Sequence, residues 1–215
     1  MIKGLIFDLD GVLVSTETNH YEAWKTIADE LQISFSEKEN EKLKGLSRAD
    51  SLLALLDLGN KSLSHFKFKA ILDYKNEIYL KSIEKINQNN LLPGVLEFIK
   101  EKHKKNYFLA VGSSSRNAHF ILKRTKIDHF FRCIIDGNMV EKPKPDPEVF
   151  INASIGLGLP VSECLVFEDA ESGVIAAKKG GFRVIGVSNL GIQESCDYFI
   201  KHMGEFDLSS YEKSI

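Results

Sequence analysis

Gly4-Leu5-Ile6-Phe7-Asp8-Leu9-Asp10-Gly11-Val12-Leu13 is the stretch from which the rest of the chain can be read. A short apolar run that stops at Asp-x-Asp-Gly predicts a buried parallel strand delivering carboxylates to the carboxyl edge of an open sheet, where such folds place their ligands. Alternation turns Asp8 and Asp10 towards the same side if strand geometry persists. Two acids placed there repel each other and need a cation, a proton or separate tasks. The same residues also suit a strand end closed by an Asp-Gly turn, and the stretch alone does not choose between the two.

Beyond Gly11 the period changes. Tyr21, Trp24, Ile27, Ala28 and Leu31 recur at helical spacing, with Thr16 or Thr18 placed to cap the start. His20 lies on the edge of that stripe, where a histidine is most often a boundary residue. Ser36-Glu37-Lys38-Glu39 has the form of a capping box, and Ser47-Arg48-Ala49-Asp50 begins another helix after Gly45. Arg48 and Ser51 share its polar side. A longer helix between Ser64 and about Ile86 carries Lys75 and Asn76 on its flank, and its basic residues are those of a solvated face. No strand signal interrupts residues 15–89, so that segment is expected to be an all-helical insert.

From about residue 90 strand and helix alternate. Leu92-Pro93-Gly94 is a loop, a helix from Val95 runs into the charged stretch Lys102 to Lys105, expected to face solvent, and Phe108 to Gly112 is a second buried strand. That strand stops at Ser113-Ser114-Ser115-Arg116-Asn117, where hydroxyls and backbone N–H groups ahead of a helix offer either an anion site or ordinary capping. Ile134-Ile135 is a short strand. Lys142-Pro143-Lys144-Pro145 forms a stiff loop in which Lys144 either neutralises a phosphate or a carboxylate pair or is a solvated turn lysine. Leu165-Val166-Phe167 ends in Glu168-Asp169, and two more strands follow at Val184 to Val187 and Tyr198 to Ile200. The fold class is therefore α/β, a Rossmann-like doubly wound parallel sheet. Its core comprises residues 1–14 and 90–215, with the helical domain 15–89 inserted.

Composition bounds the partners. The 215 residues are 43% apolar and 27% charged, and the net charge of −2 gives no general attraction to nucleic acid or anionic membrane. Cys133, Cys164 and Cys196 are widely spaced and odd in number, which suits a reducing compartment, and no stretch reads as a signal peptide or a membrane span. A cytoplasmic monomer acting on a small molecule is expected, without nucleic-acid or membrane partners.

Parallel strands all end on one edge, so Asp8, Asp10, Ser113, Lys144, Glu168 and Asp169 should converge there. Convergence is what an isolated turn does not predict. Clustered carboxylates call for a hard cation such as Mg2+, held by Asp8, Asp10, Glu168 and Asp169. Ser113, Ser114 and Lys144 add phosphate-binding capacity, and the combination points to phosphoryl transfer. Asp8 suits a nucleophile that forms an aspartyl-phosphate, and Asp10 a general acid and base.

Asp8-Leu9-Asp10-Gly11-Val12, Ser113, Lys144-Pro145 and Glu168-Asp169, in that order, resemble the motifs of the haloacid dehalogenase superfamily with a helical cap after the first strand. Within it the chain most resembles the β-phosphoglucomutase family, through Thr16, His20-Tyr21-Glu22-Ala23-Trp24-Lys25, Gly45-Leu46-Ser47-Arg48 with Asp50-Ser51-Leu52, Lys75-Asn76 and Ser115-Arg116-Asn117. The resemblance implies substrate contacts from Thr16, His20, Trp24, Gly45, Ser47, Arg48, Ser51 and Lys75. It implies that Arg48 grips the phosphate not being transferred, assisted by Ser115, Arg116 and Asn117, and that His20 and Lys75 position Asp10. Arg116 departs from the family's lysine, keeping the charge but changing its geometry. The implied reaction is Mg2+-dependent interconversion of β-glucose 1-phosphate and glucose 6-phosphate through a bisphosphate. A sugar-phosphate phosphatase is the alternative. A binding module with a dead site is disfavoured by the full set of acids, and a halide-removing hydrolase would not need Asp10 or the metal-binding acids.

Overall fold

The architecture is that of a computed structural model, which describes residues 1–214. Six parallel strands form one sheet in the order β3-β2-β1-β4-β5-β6. They are β1 (Gly4–Phe7), β2 (Phe108–Gly112), β3 (Cys133–Ile135), β4 (Cys164–Glu168), β5 (Arg183–Val187) and β6 (Tyr198–Ile200). The chain builds outward from β1 on one side and then returns to its other side. The crevice of such a sheet lies where the order reverses, beyond the carboxyl end of β1. Phe7 is in register with Val111 on β2 and Phe167 on β4, so the three strands end level.

Alternation divides the core. Leu5 and Phe7 on β1, Leu109 and Val111 on β2, and Leu165 and Phe167 on β4 pack against α5 (Val95–Lys104), α6 (Ala118–Arg124) and α9 (Leu208–Ser214). Ile6, Ala110, Val166 and Val184 face the other way, onto α7 (Glu148–Leu157) and α8 (Glu171–Lys179). Both faces of the sheet are covered, which is why its strands are apolar at successive positions.

Between β1 and β2 come α1 (Glu17–Glu30), α2 (Glu37–Asn40), α3 (Arg48–Leu58) and α4 (His65–Ser82). They enclose an apolar cluster of their own, with Trp24, Ile27 and Ala28 facing Leu52, Leu55 and Leu56. The expected start signals are present: the Ser36 amide donates to the Glu39 carboxylate (2.9 Å), and the Ser47 hydroxyl accepts from the Asp50 amide (3.1 Å). Thr16 stands at the start of α1 but makes no side-chain cap bond.

Two lysines differ from expectation. Lys102 does not face solvent; it is buried, its ammonium 4.9 Å from the Phe98 ring centre and 3.0 Å from Glu101, so the stem packs on the core while the head finds a partner at the rim. Lys75 is also buried, rather than part of a solvated face. Among the described residues no helix is long and apolar enough to cross a membrane.

Phe7 is fully buried, stacked on Phe167 at 4.9 Å and edge-on to Phe98 and Phe131. Phe7→Ala should lower the unfolding free energy by about 3–5 kcal/mol, from lost transfer energy and a cavity under the carboxyl edge of the sheet. Urea denaturation measures this, and a loss below about 1 kcal/mol would show that the sheet recloses around the site.

Candidate active site

Asp8 is the first residue past β1, and its amide continues the ladder by donating to the Phe167 carbonyl (2.9 Å). Register then brings it beside Glu168, the last residue of β4, and Asp169 follows. Ligand atoms of Asp8, Glu168 and Asp169 all lie within 4.8 Å of one another, and all three residues are buried. Lys144 enters from the loop ahead of α7. Its ammonium donates to Asp8 and to Glu168 (2.8 Å) and lies 4.6 Å from the Phe150 ring centre.

The charges do not balance. Burial, with the charge of Asp8, pushes the Glu168 carboxyl up to about 7 although Lys144 pulls it down. Burial raises Asp169 well above the carboxylate range, and Glu168 and Asp8 add to the rise. Lys144 is driven above its ordinary value, because Asp8 and Glu168 outweigh the burial that alone would lower it. One ammonium among three buried carboxylates leaves excess negative charge on hard oxygen donors, the donor set that fits Mg2+. Gly11 adds a steric observation: at φ +82° it turns the chain tightly, and a Cβ there would lie 2.0 Å from an Asp169 carboxylate oxygen.

Asp10 behaves differently from expectation. Its carboxylate is not one of the clustered donors; it turns towards α1, where Thr16 donates to it and His20 Nε2 lies 3.9 Å away. The strand ends at Phe7 and Gly11 reverses the chain, so strict alternation does not extend to Asp10. Burial and the charge of Asp8 push its carboxyl up to about 7, against the pull of Thr16, Lys75 and Lys144. Behind it, the Lys75 ammonium sits 3.0 Å from His20 Nδ1, with the Trp24 and Tyr79 rings at 4.9 and 4.7 Å. Burial, then Lys75 and Arg48, hold His20 well below its usual value. Those shifts favour the neutral imidazole; a Lys75 ammonium donating to Nδ1 would leave the ring proton on Nε2, the nitrogen nearer Asp10.

Insert and core are also joined along the cleft. The Ser114 hydroxyl donates to the Gly45 carbonyl (2.8 Å), and Ser172 donates to the Lys44 carbonyl (3.3 Å). Gly45, at φ +72°, is required here because a Cβ would lie 2.3 Å from the Ser172 hydroxyl oxygen. The Ser113 and Ser115 hydroxyls accept from the Ser115 and Asn117 amides (3.1 and 3.2 Å). Arg48 Nη2 and Asn117 Nδ2 both donate to Asn76 Oδ1, at 2.7 and 3.0 Å.

Asp8, Asp10, Asp169, His20, Trp24, Gly45, Arg48, Ser51, Lys75 and Ser113 through Asn117 all line one cleft of about 850 Å3, counted out to open solvent. Thr16 and Ser47 do not line it. Thr16 is buried behind Asp10 and Ser47 is occupied in capping α3, so neither is placed as a substrate contact. Lys144 and Glu168 are also outside its wall. Lys144 is enclosed between two carboxylates, which makes it the counter-ion of Asp8 and Glu168 rather than a freely presented phosphate ligand. Sequence reasoning missed Tyr79, Asn76, Glu17 and Lys44 as lining residues. Asn76 could have been found from its place beside Lys75, but the Glu17–Lys44 ion pair (3.0 Å) joins positions with no local signature.

Two results test this geometry. Gly11→Ala should displace Asp169 and weaken Mg2+ binding at least tenfold by calorimetry, with the fold retained by circular dichroism; unchanged affinity would remove Asp169 from the cation site. Lys75 is lowered from 10.5 to about 7, by burial first and then Arg48, while Asp10 opposes the shift. The unfolded chain therefore holds the extra proton between those values, and the Lys75 contribution to stability rises with pH across that window. Lys75→Met should be most stabilised relative to the parent near pH 7, the difference shrinking towards pH 10. Parallel pH–stability curves would contradict the shift.

The comparisons with known proteins agree with this geometry. A sequence profile of haloacid dehalogenase-like hydrolases matches residues 5–187. The chain is 34% identical over 209 residues to the β-phosphoglucomutase of Bacillus subtilis, covering 96% of this chain and 92% of that one. It is 31% identical over 189 residues to the phosphorylated carbohydrates phosphatase of Thermotoga maritima, covering 86% and 85%. The crystal structure of the β-phosphoglucomutase from Clostridium difficile matches with a TM-score of 0.94 at 31% identity, over 99% and 96% of the two chains. With the profile running from the first strand to the end of the fifth, the chain belongs to the haloacid dehalogenase-like hydrolase family.

Proposed function

We propose that this enzyme, of a family whose relatives here are a phosphomutase and a phosphatase, is a Mg2+-dependent mutase interconverting β-glucose 1-phosphate and glucose 6-phosphate through β-glucose 1,6-bisphosphate. The observation that carries this reading is one cleft lined by two polar groupings: Asp8 with its acidic neighbour Asp169, and Arg48 with Asn76, Arg116 and Asn117. A bisphosphate needs both.

In the proposed reaction an Asp8 carboxylate oxygen attacks phosphorus and the bond to the leaving sugar oxygen breaks. That oxygen takes the proton held by Asp10, leaving an aspartyl-phosphate. In the return step Asp10 takes the proton from the attacking sugar hydroxyl, whose oxygen displaces Asp8. An Asp10 carboxyl pushed up to about 7 can serve in both directions near neutrality. Lys144 fixes the Asp8 carboxylate, while the Ser113 and Ser114 region lies where transferring oxygens need donors. Asp8, Glu168 and Asp169 would hold Mg2+, which when bound supplies positive charge against the phosphoryl oxygens. Residues 15–89 act as a cap that closes over residues 1–14 and 90–215 and keeps water from the aspartyl-phosphate. We place the protein in the cytoplasm as a monomer.

A phosphatase is the second reading, favoured by the Thermotoga relative, whose name says that it dephosphorylates carbohydrates. Water would replace the sugar hydroxyl at the same Asp8. With β-glucose 1-phosphate, Mg2+ and a trace of bisphosphate, glucose 6-phosphate should exceed free phosphate; phosphate as the main product would establish the hydrolase instead. Asp8→Asn and chelation of Mg2+ should each abolish turnover. Arg48→Ala should raise KM by about 10- to 100-fold through loss of charge-assisted bonds to the distal phosphate.

A further inference from the structure

We infer that the Asn76 carboxamide is a built-in stand-in for a phosphate oxygen: it ties Arg48 to Asn117 across the cleft in the free enzyme and is displaced when an anion binds between them. The inference rests on the reading of the Arg48 end as the distal phosphate site.

Asn76 lies on α4 and Arg48 on α3, both in the helical insert, whereas Asn117 lies in the core just before α6. A single oxygen, Asn76 Oδ1, accepts a guanidinium N–H from one side (2.7 Å) and an amide N–H from the other (3.0 Å). Two convergent donors on one oxygen are the arrangement a phosphoryl oxygen takes. Asn76 supplies the shape but not the charge. Burial and the neighbouring Arg116 both disfavour the charged form of Arg48, and Asp73 only partly offsets them. A dianion would meet the same two donors and relieve the repulsion between the guanidiniums. The bond from Asn117 becomes charge-assisted and the Arg48 guanidinium gains an ionised acceptor in place of a neutral one, so the exchange runs in the anion's favour.

The tie is therefore a competitor. Free enzyme held together by Asn76 has Arg48 and Asn117 engaged, and the observed affinity falls by the fraction in that form. Removing the Asn76 side chain should tighten anion binding, the opposite of removing a ligand contact. Converting it to a carboxylate should give Arg48 a permanent internal counter-ion and weaken binding.

The test uses the full chain with Asp8→Asn, so that glucose 6-phosphate binds in Mg2+ buffer without turnover. Asn76→Ala should lower the calorimetric Kd by roughly 3- to 10-fold and speed association, followed through Trp24, the single tryptophan, which lines the cleft. Asn76→Asp should raise Kd at least tenfold, and Arg48→Ala should raise it too. Small-angle scattering of ligand-free Asn76→Ala should show a larger radius of gyration than the parent. A Kd raised by Asn76→Ala, as by Arg48→Ala, would make Asn76 an ordinary contact and overturn the inference alone. A Kd unmoved by Arg48→Ala would overturn the distal-site reading beneath it. A radius unmoved by Asn76→Ala would overturn the tie whatever the ligand does.

Discussion

The ion pairs of Lys144 with Asp8 and Glu168 are the constraint on which the catalytic edge depends. An ammonium or a carboxylate moved out of water is costly, and in a buried group the cost is offset only by close and well-directed partners. The sheet supplies those partners by register. Phe7 pairs with Phe167, so the next residues, Asp8 and Glu168, emerge side by side, and the loop ahead of α7 brings Lys144 between them. Phe150 and Val149 hold that loop by packing α7 against Ile6, Ala110 and Val166. The core on one face of the sheet thus fixes a charge on its edge.

The same constraint separates the two aspartates that open the chain. Asp8 answers to the core, through Lys144 and the neighbouring acids. Asp10 answers to the insert, through Thr16, His20 and the Lys75 that His20 and two aromatic rings enclose. Two carboxylates two residues apart thereby have different partners, as the separate roles proposed for them require. The coupling also gives the insert a route to the chemistry, since any motion of α1 or α4 moves the groups around Asp10.

Much of this was legible in the sequence. Apolar runs ending in Asp8, Ser113 and Glu168 predicted parallel strands meeting at one edge, because strand direction and edge position follow from local pattern. The capping residues Ser36 and Ser47 were equally local. Side-chain direction beyond a strand end was not legible: the rule of alternation holds only while the backbone stays extended, and the strand ends at Phe7, three residues before Asp10. Burial of Lys75 and Lys102 was hidden because a lysine reads as solvated until the elements that cover its stem are known. Thr16 and Ser47 carried the right chemistry for substrate contacts, but tertiary structure spends their hydroxyls on Asp10 and on a helix end. Asn76 was invisible as a link because its two partners lie 28 and 41 positions away.

In the proposed mechanism the lysine-held carboxylate at the end of the first strand, and not its neighbour, takes the phosphoryl group. Acid quenching during turnover of β-glucose 1-phosphate, followed by borohydride reduction and peptide mass spectrometry, measures it directly. An acyl-phosphate is reduced to an alcohol, so Asp8 should appear as homoserine with Asp10, Glu168 and Asp169 unchanged. Homoserine at position 10, or an unmodified position 8 under conditions of full turnover, would contradict the account.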